Sequence, residues 1–249
     1  IDRIFISHWH ADHFAGLLGL VQTMSLENRT EPLYVYGPIR SKEFADQLLN
    51  VGYFEKKFDV IVRELEEGDV VDCGEYDVVP FCVKHRIPAI GYVFKEKYRA
   101  RANMNKAAKL GLKTSPLIGD LKAGKIVKHK GVIIKPEDIL DIRPGRKIVY
   151  TGDTKYTDNI ARFSTNADVL ICDSTFSSDF ETRAIDFMHT TSRQAGKIAK
   201  KAKVKKLILT HISRRYQETN DGEAKLLAEA KKEFKNTTLA KDFMVVNVK

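Results

Sequence analysis

Directly after the apolar stretch Asp2-Arg3-Ile4-Phe5-Ile6 the chain reads Ser7-His8-Trp9-His10-Ala11-Asp12-His13. Three imidazoles and a carboxylate fall within six residues, on the turn that follows a strand. His8 and His10 are two apart, so an extended backbone points both to the same side. Asp12 and His13 follow where the chain turns into a helix, on adjacent directions, and can serve a second position beside the first. Imidazole nitrogen and carboxylate oxygen are the ligands that suit zinc and related divalent ions. Only seven histidines occur in 249 residues, so a solvated polar turn is the weaker reading of so dense a cluster.

A chain of this length can bury a sizeable core as one large domain, or as one domain with an appendage. No apolar run approaches the roughly 18 residues of a membrane span, so no membrane contact is expected. Cys73, Cys82 and Cys172 are odd in number and sit in apolar, strand-like runs. They read as buried free thiols of a reducing, cytoplasmic compartment. None lies in a Cys-x-x-Cys, which speaks against a thiolate zinc site. The net charge of +9 is unevenly placed. From 95 to 147 there are 15 Lys or Arg against 5 Asp or Glu, so that this segment alone carries +10. A solvated helix mixes its signs, whereas a one-signed block of this length favours contact with nucleic acid.

Strand and helix signals alternate along the rest. Leu33 to Tyr36 reads as a strand, and Ser41 to Asn50 as a helix with Ser41 as its N-cap. The stretches Phe58 to Val62, Val70 to Asp72, Tyr76 to Lys84 and Ile90 to Phe94 read as short strands joined by tight turns. Ile148 to Thr151, Val169 to Cys172 and Leu207 to Thr210 are nearly all-apolar strands of the kind covered on both faces. Helices are expected over Thr191 to Lys203, with Ala195, Ile198, Ala199 and Ala202 inward, and over Asp221 to Phe234. Phe243 to Val248 reads as a last strand. The mixture predicts an α/β layered sandwich. Residues 1–94 and 148–249 form its body, and 95–147 is an inserted basic segment with a short helix at Ala102 to Leu110 and hairpin-like pieces.

Six of the seven histidines fall at strand ends or in the turns after them. His85 ends one strand and His211 another, and Gly152-Asp153-Thr154 follows a third. His129, inside the basic segment, reads as charged surface. Two metal ions about 3.5–4 Å apart can hold a hydroxide between them and clamp both oxygens of an in-line phosphoryl displacement. Such a pair needs six or seven N/O ligands with one carboxylate shared. Asp153, following a glycine that permits close approach, is the candidate bridge.

Ser-His-x-His-x-Asp-His, His85, Gly-Asp-Thr and the late His211 together resemble the metal-binding motifs of the metallo-β-lactamase superfamily. Within it, Cys172-Asp173-Ser174-Thr175-Phe176, Met188-His189-Thr190-Thr191 and Leu209-Thr210-His211-Ile212-Ser213-Arg214-Arg215-Tyr216 resemble the ribonuclease Z family. Val83-Lys84-His85-Arg86-Ile87-Pro88 with Gly91-Tyr92 fits that family too. So does Leu110-Gly111-Leu112-x-x-x-Pro116-Leu117-x-Gly119-x-Leu121-x-x-Gly124, in the segment where the family carries its tRNA-binding arm. The resemblance implies a four-layer αββα sandwich with an inserted basic arm. It implies two zinc ions per subunit, one held by His8, His10 and His85, the other by Asp12, His13 and His211, with Asp153 bridging. It further implies that Asp12 helps activate the water, and that His189, supported by Asp173, protonates the leaving oxygen. Ser213, Arg214 and Arg215 would engage phosphate, while Lys97, Arg99, Arg101, Lys113, Lys122 and Lys125 of the arm would grip the RNA.

There are departures from the pattern. The family more often has Glu where Asp173 stands, which shortens the reach to His189 by one methylene. The arm's usual Gly-Pro is here Ser115-Pro116. The family's opening strands have no counterpart before Ile1, so a chain shortened at its N-terminus is expected. The implied activity is zinc-dependent endonucleolytic removal of the 3′ trailer of precursor tRNA by metal-hydroxide attack, leaving a 3′-hydroxyl, in a homodimer. A hydrolase of small esters, thioesters or cyclic phosphodiesters would share every ligand but needs no long basic insertion. A non-catalytic RNA-binding module would not need an open bridging position.

Overall fold

The computed structural model describes residues 1–112, 115–143, 145–216, 218 and 221–248. Lys113, expected to contact RNA, lies outside the described residues. The chain divides into two compact units, Ile1–Lys95 with Lys147–Lys249, and Glu96–Arg146.

The larger unit is built on two sheets. Strands β1 (Arg3–Phe5), β2 (Leu33–Gly37) and β3 (Val60–Glu64) form the first, all parallel in the order β1-β2-β3. Between them run helices α1 (Ala11–Phe14), α2 (Gly16–Leu26) and α3 (Ser41–Leu49). The second sheet begins with β4 (Val71–Asp72), β5 (Tyr76–Cys82) and β6 (Ile90–Glu96). The Glu96–Arg146 unit then contributes β7 (Arg99–Ala102), α4 (Met104–Lys109), α5 (Leu117–Lys122), β8 (Val127–His129), β9 (Val132–Ile134), α6 (Pro136–Ile139) and β10 (Leu140–Arg143). The second sheet resumes with β11 (Lys147–Tyr150), β12 (Val169–Asp173), β13 (Lys206–Thr210) and β14 (Thr237–Leu239). Their connections carry α7 (Asp158–Ser164), α8 (Glu181–Asp186), α9 (Ser192–Ala202) and α10 (Gly222–Glu233). Its order is β14-β13-β12-β11-β6-β5-β4, parallel from β11 to β14 and antiparallel between β11 and β6.

Three apolar layers show how the sheets and helices stack. Leu17, Val21, Ala45 and Leu49 of the helices bury against Leu33 and Val35 of the first sheet. Tyr36 and Phe5 meet Val78, Ile90 and Tyr92 between the sheets. Leu170, Leu207 and Leu209 bury against Ile160, Ala195, Ile198 and Ala199 on the far side. Helix, sheet, sheet and helix thus give the four-layer αββα arrangement, as expected. The sheets are tied at one point, where the Tyr92 hydroxyl donates to the Ile6 carbonyl at 2.7 Å and Ile90 N donates to the Ser7 carbonyl at 2.9 Å.

Helix α9 forms where its sequence predicts it. Thr191 and Gln194 make a reciprocal capping box, and Lys203 closes the helix in the left-handed region with φ 52°. Ala195, Ile198, Ala199 and Ala202 are all buried.

Several expectations give way. Ser41 is not an N-cap: Arg40 takes that position with φ 71°, and the Ser41 hydroxyl donates to the Pro38 carbonyl at 2.6 Å. Val60–Glu64 joins the first sheet and separates from the strands that follow it, because it extends β2 in parallel register. Phe243 to Val248 is not a strand: Phe243 is fully exposed at φ 60°, and the final strand is Thr237–Leu239. Met244, Val246 and Val248 instead line a groove with Ile148, Val169, Ile171 and Ile208, so their apolar side chains cover the sheet face. Of the cysteines only Cys172 is buried; Cys73 is half-buried and Cys82 exposed. Cys82 follows the fully buried Phe81, and strand alternation turns it outward.

The Glu96–Arg146 unit has a core of its own, made of Ala107, Leu112, Leu121, Val127, Ile134, Ile139 and Leu140. β7 and β10 pair antiparallel, and β8 and β9 form a hairpin turned by Lys130 (φ 47°) and Gly131 (φ 83°). Two successive positive φ values are what a two-residue hairpin turn of matching twist requires. His129 is not simply charged surface: its Nε2 is buried without a partner among the described residues.

Gly91 permits close packing in the larger unit. A Cβ there would sit 2.4 Å from Cζ of the fully buried Phe81 ring. Gly91→Ala is expected to destabilise the protein by about 1–3 kcal/mol through overpacking, seen as a lower urea midpoint at unchanged m-value.

Candidate metal centre

In sheets with parallel strands, ligand sites form beyond the carboxyl ends of the strands. Four such ends meet here. β1 delivers His8, the turn after β11 delivers Asp153, β12 ends on Asp173, and His211 follows β13. His85, beyond the end of β5, and His189, in the loop between α8 and α9, complete the ring.

Close approach is forced at two of these turns. Gly152 has φ 59°, and a Cβ on it would lie 2.7 Å from Ser7 Cβ. Only glycine lets the two strand-end turns pass at that distance, and Asp153 is carried to the centre by it. His211 itself has φ 58° and Met188, before His189, φ 60°. Non-glycine residues in the left-handed region are uncommon, and here they aim site side chains.

His8, His10 and His85 form one group of ring nitrogens within ligand distance of one another; Asp12, His13 and His211 form a second. Asp153 Oδ2 lies 3.7 Å from His8 Nε2, 3.4 Å from His13 Nε2 and 3.1 Å from His211 Nε2, which puts it between the two groups. His85 Nε2 and His10 Nδ1 are 3.2 Å apart. This is close to the spacing of about 3.3 Å between two ligands of a tetrahedral zinc with bonds of about 2.0–2.1 Å.

Most of these rings engage the protein with one nitrogen and face the centre with the other. His8 Nδ1 is 3.0 Å from Ser7 Oγ, His85 Nδ1 is 3.2 Å from the Met188 carbonyl, and His211 Nδ1 is 2.8 Å from Thr175 Oγ1. Such outer contacts orient metal-binding imidazoles. His8 Nε2 is fully buried and has no hydrogen-bond partner among the described residues. An unsatisfied buried ring nitrogen is costly, and a metal ion is the partner it lacks. The residues therefore fit a divalent cation.

The electrostatics agree. Burial, with the neighbouring His13, lowers the His8 pKa to about 3, so the ring is neutral and its lone pair available. Burial also lowers His85. Burial would raise Asp153, but the hydrogen bond to His13 and the charges of His211, His13 and His8 hold it at about 2. His13 is raised by that same hydrogen bond.

His189 differs from the other rings. Its Nδ1 lies 2.8 Å from Oδ2 of the fully buried Asp173. The aspartate's shorter side chain thus makes the contact with His189. Burial opposes the imidazolium, but the hydrogen bond and charge of Asp173 outweigh it and raise the His189 pKa. The ring stacks 5.0 Å from His211 and lies 5.2 Å from His85. The centre thus holds His189, raised by Asp173, beside His8 and His85, which burial lowers.

Two of the supports were not visible in the sequence. Thr175 is one; its place two residues beyond Asp173, on the same strand side, is a faint signal. The Met188 carbonyl is the other, and it leaves no sequence signal. The turn itself is braced from behind, where Trp9 Nε1 donates to Ser41 Oγ at 2.7 Å and its ring packs against Phe14 and Phe44.

Near the centre, Arg215 lies over Phe176 and Phe180, with Nε donating to Ser213 Oγ at 3.3 Å. Arg214 is exposed and pairs with Glu218 at 3.1 Å. In the Glu96–Arg146 unit, Arg101 and Lys122 are exposed and Lys97 is half-buried. Lys125 is exposed but pairs with Asp120 at 3.0 Å. Arg99 stands on β7 opposite Arg143.

A family model for the beta-lactamase superfamily domain matches residues 131–212. A protein named ribonuclease Z from Methanosarcina acetivorans is 40% identical over 250 residues, covering all of this chain and 81% of that protein. The chain belongs to the ribonuclease Z family. A ribonuclease Z from Archaeoglobus fulgidus is 41% identical over 251 residues, again covering the whole chain and 81% of the relative. Among solved structures, the short form of human tRNase Z superposes with a TM-score of 0.66 at 26% identity, covering 100% of this chain and 80% of that one. The metallo-beta-lactamase fold protein YhfI of Bacillus subtilis superposes equally well at 21% identity, covering 97% and 75%, which supports the fold. As a member of the ribonuclease Z family, the chain is a metal-binding endoribonuclease.

Gly152→Ala is expected to displace Asp153 and to weaken metal binding about 10–100-fold, the scale of outer-contact losses. Competition with a chromogenic chelator measures it.

Proposed function

We propose that this protein removes the 3′ trailer of precursor tRNA, leaving a 3′-hydroxyl on the tRNA, with two zinc ions per subunit. The single observation that carries the endonuclease chemistry is His189, held by Asp173 at 2.8 Å beside two groups of metal-ligating side chains. The tRNA assignment is supported by the names of the relatives and by the excess positive charge between 95 and 147.

His8, His10 and His85 would hold one zinc, and Asp12, His13 and His211 the other, with Asp153 shared. Zinc, when bound, lowers the pKa of water and offsets charge on phosphoryl oxygen. Asp12, with its side chain 75% exposed and Oδ2 3.6 Å from His13 Nε2, would accept a proton from the attacking water. Asp173 fixes the ring of His189 through Nδ1, which leaves Nε2 to donate. The departing 3′-oxygen takes that proton, and the burial of Asp173 keeps the pair from being screened by solvent. Arg215 and Ser213 stand beside His211 to receive a phosphate. The Glu96–Arg146 unit grips the RNA by backbone and shape.

A general acid loses activity as pH rises through its pKa. The His189 pKa is raised, so the alkaline limb of kcat lies above the ordinary histidine value of about 6.5. Asp173→Asn removes the charge that raises it. The limb is expected to move to lower pH and kcat to fall roughly 10²–10⁴-fold, as read from a pH–rate profile on 3′-extended tRNA. A limb that does not move would remove His189 from the acid role.

Lys95 and Lys147 are cross-strand neighbours on β6 and β11. An Asn-Gly turn can therefore replace residues 96–146 and leave the sheet intact. This variant is expected to lose cleavage of 3′-extended tRNA, and what remains should depend less on salt. It should retain hydrolysis of bis(p-nitrophenyl) phosphate. Unchanged tRNA cleavage with unchanged salt dependence would refute the arm's role.

A further inference from the structure

Arg86 follows His85 directly in the chain, and Phe187 lies two residues before His189. The two meet across the centre. The Arg86 guanidinium lies 4.6 Å from the Phe187 ring centroid, and its Nη2 donates to the Asp186 carbonyl at 2.8 Å. Arg183 stacks on the same ring, its Cζ 5.3 Å from the centroid. All three side chains are exposed. Among the described residues neither arginine pairs with a carboxylate.

The two guanidinium groups share one ring and are at most about 10 Å apart, so that one phosphate can lie within reach of both. An anion between or beside them meets positive charge from both sides. The ring and the carbonyl restrict Arg86 in advance, which lowers the ordering cost of binding. A guanidinium offers paired N–H donors that match the oxygens of a phosphate.

We propose that Arg86 and Arg183, stacked on Phe187, form a clamp for the RNA backbone phosphate immediately 5′ to the cleaved bond. The placement rests on the proposed endonuclease reading. His189 donates to the departing 3′-oxygen, which stays with the tRNA, and the turn carrying His189 also carries Phe187. The clamp therefore flanks the tRNA side of the scissile phosphate and leaves the trailer side to other groups. The charge of Arg86 is felt at His189, where it opposes the imidazolium, which agrees with the two facing the same stretch of strand.

The test uses 3′-extended tRNA in which that one phosphate is replaced by a neutral methylphosphonate, with wild type, Arg86→Gln and Arg183→Gln. On the normal substrate each variant is expected to lose about tenfold or more in kcat/KM, the scale of a charge-assisted hydrogen bond, mostly through KM. The slope of log kcat/KM against log salt should fall by about one. The methylphosphonate should cost the wild type a similar factor and cost the variants little. Should it cost Arg86→Gln and Arg183→Gln as much as the wild type, the clamp is overturned. It is overturned too if Arg86→Gln loses as much on bis(p-nitrophenyl) phosphate as on tRNA, since the arginine would then act through His85. Arg183, on α8, is remote from the ligand positions in sequence and provides the independent arm. A wild type that does not cleave 3′-extended tRNA would refute the parent reading instead.

Discussion

The carboxylate of Asp173 holds the site together. It is fully buried at the end of β12, and four donors converge on it. Oδ2 accepts from Thr154 N at 2.9 Å and from His189 Nδ1. Oδ1 accepts from Thr175 N at 3.0 Å and from Thr175 Oγ1 at 2.7 Å. Thr154 follows Asp153 in the chain, and the same Thr175 hydroxyl contacts His211. One buried group thus sets the positions of the turn after β11, the loop before α9 and, through a threonine, the residue after β13. A buried carboxylate is tolerated only when so fully bonded. Removing its partners one at a time would disturb three functional side chains together.

Left-handed backbone recurs around the same region. Gly152, Met188 and His211 all take positive φ, and each carries or precedes a site residue. Arg40, also left-handed, precedes Ser41, whose hydroxyl braces the indole between His8 and His10. Such conformations cost free energy and persist where the surroundings over-determine them. Here the surroundings are a parallel sheet on one side and a buried hydrogen-bond network on the other.

Much of this was legible in the sequence because chemistry and topology coincide. The ligands stand at the ends of apolar strands, and a strand reads clearly when it is short, apolar and closed by a polar residue. Helix α9 announced itself through Thr191, Gln194 and its row of alanines. What stayed hidden depends on contacts between distant segments. A serine at the first helical position looks like a serine at the N-cap, and only the Trp9 indole, 32 residues away, decides between them. The valines near the C-terminus alternate like a strand yet serve as a cover for another strand's face. A half-exposed phenylalanine next to an active histidine carries no sign that an arginine about 100 residues earlier lies on it.

The joining of the two sheets at the metal turn has a consequence for folding. His8, His10, Asp12 and His13 belong to the half of the sandwich built on β1, whereas His85, Asp153 and His211 belong to the half built on β11 to β13. A metal ion held by Asp12, His13 and His211 would cross-link the layers, closing a loop of some two hundred residues between His13 and His211. Closing a long loop removes more entropy from the unfolded chain than closing a short one, and ligands gathered only in the folded state convert binding energy into folding energy. A cation held there would act as a rivet through the sandwich, so that prying the layers apart and stripping the metal would be one event seen from two sides.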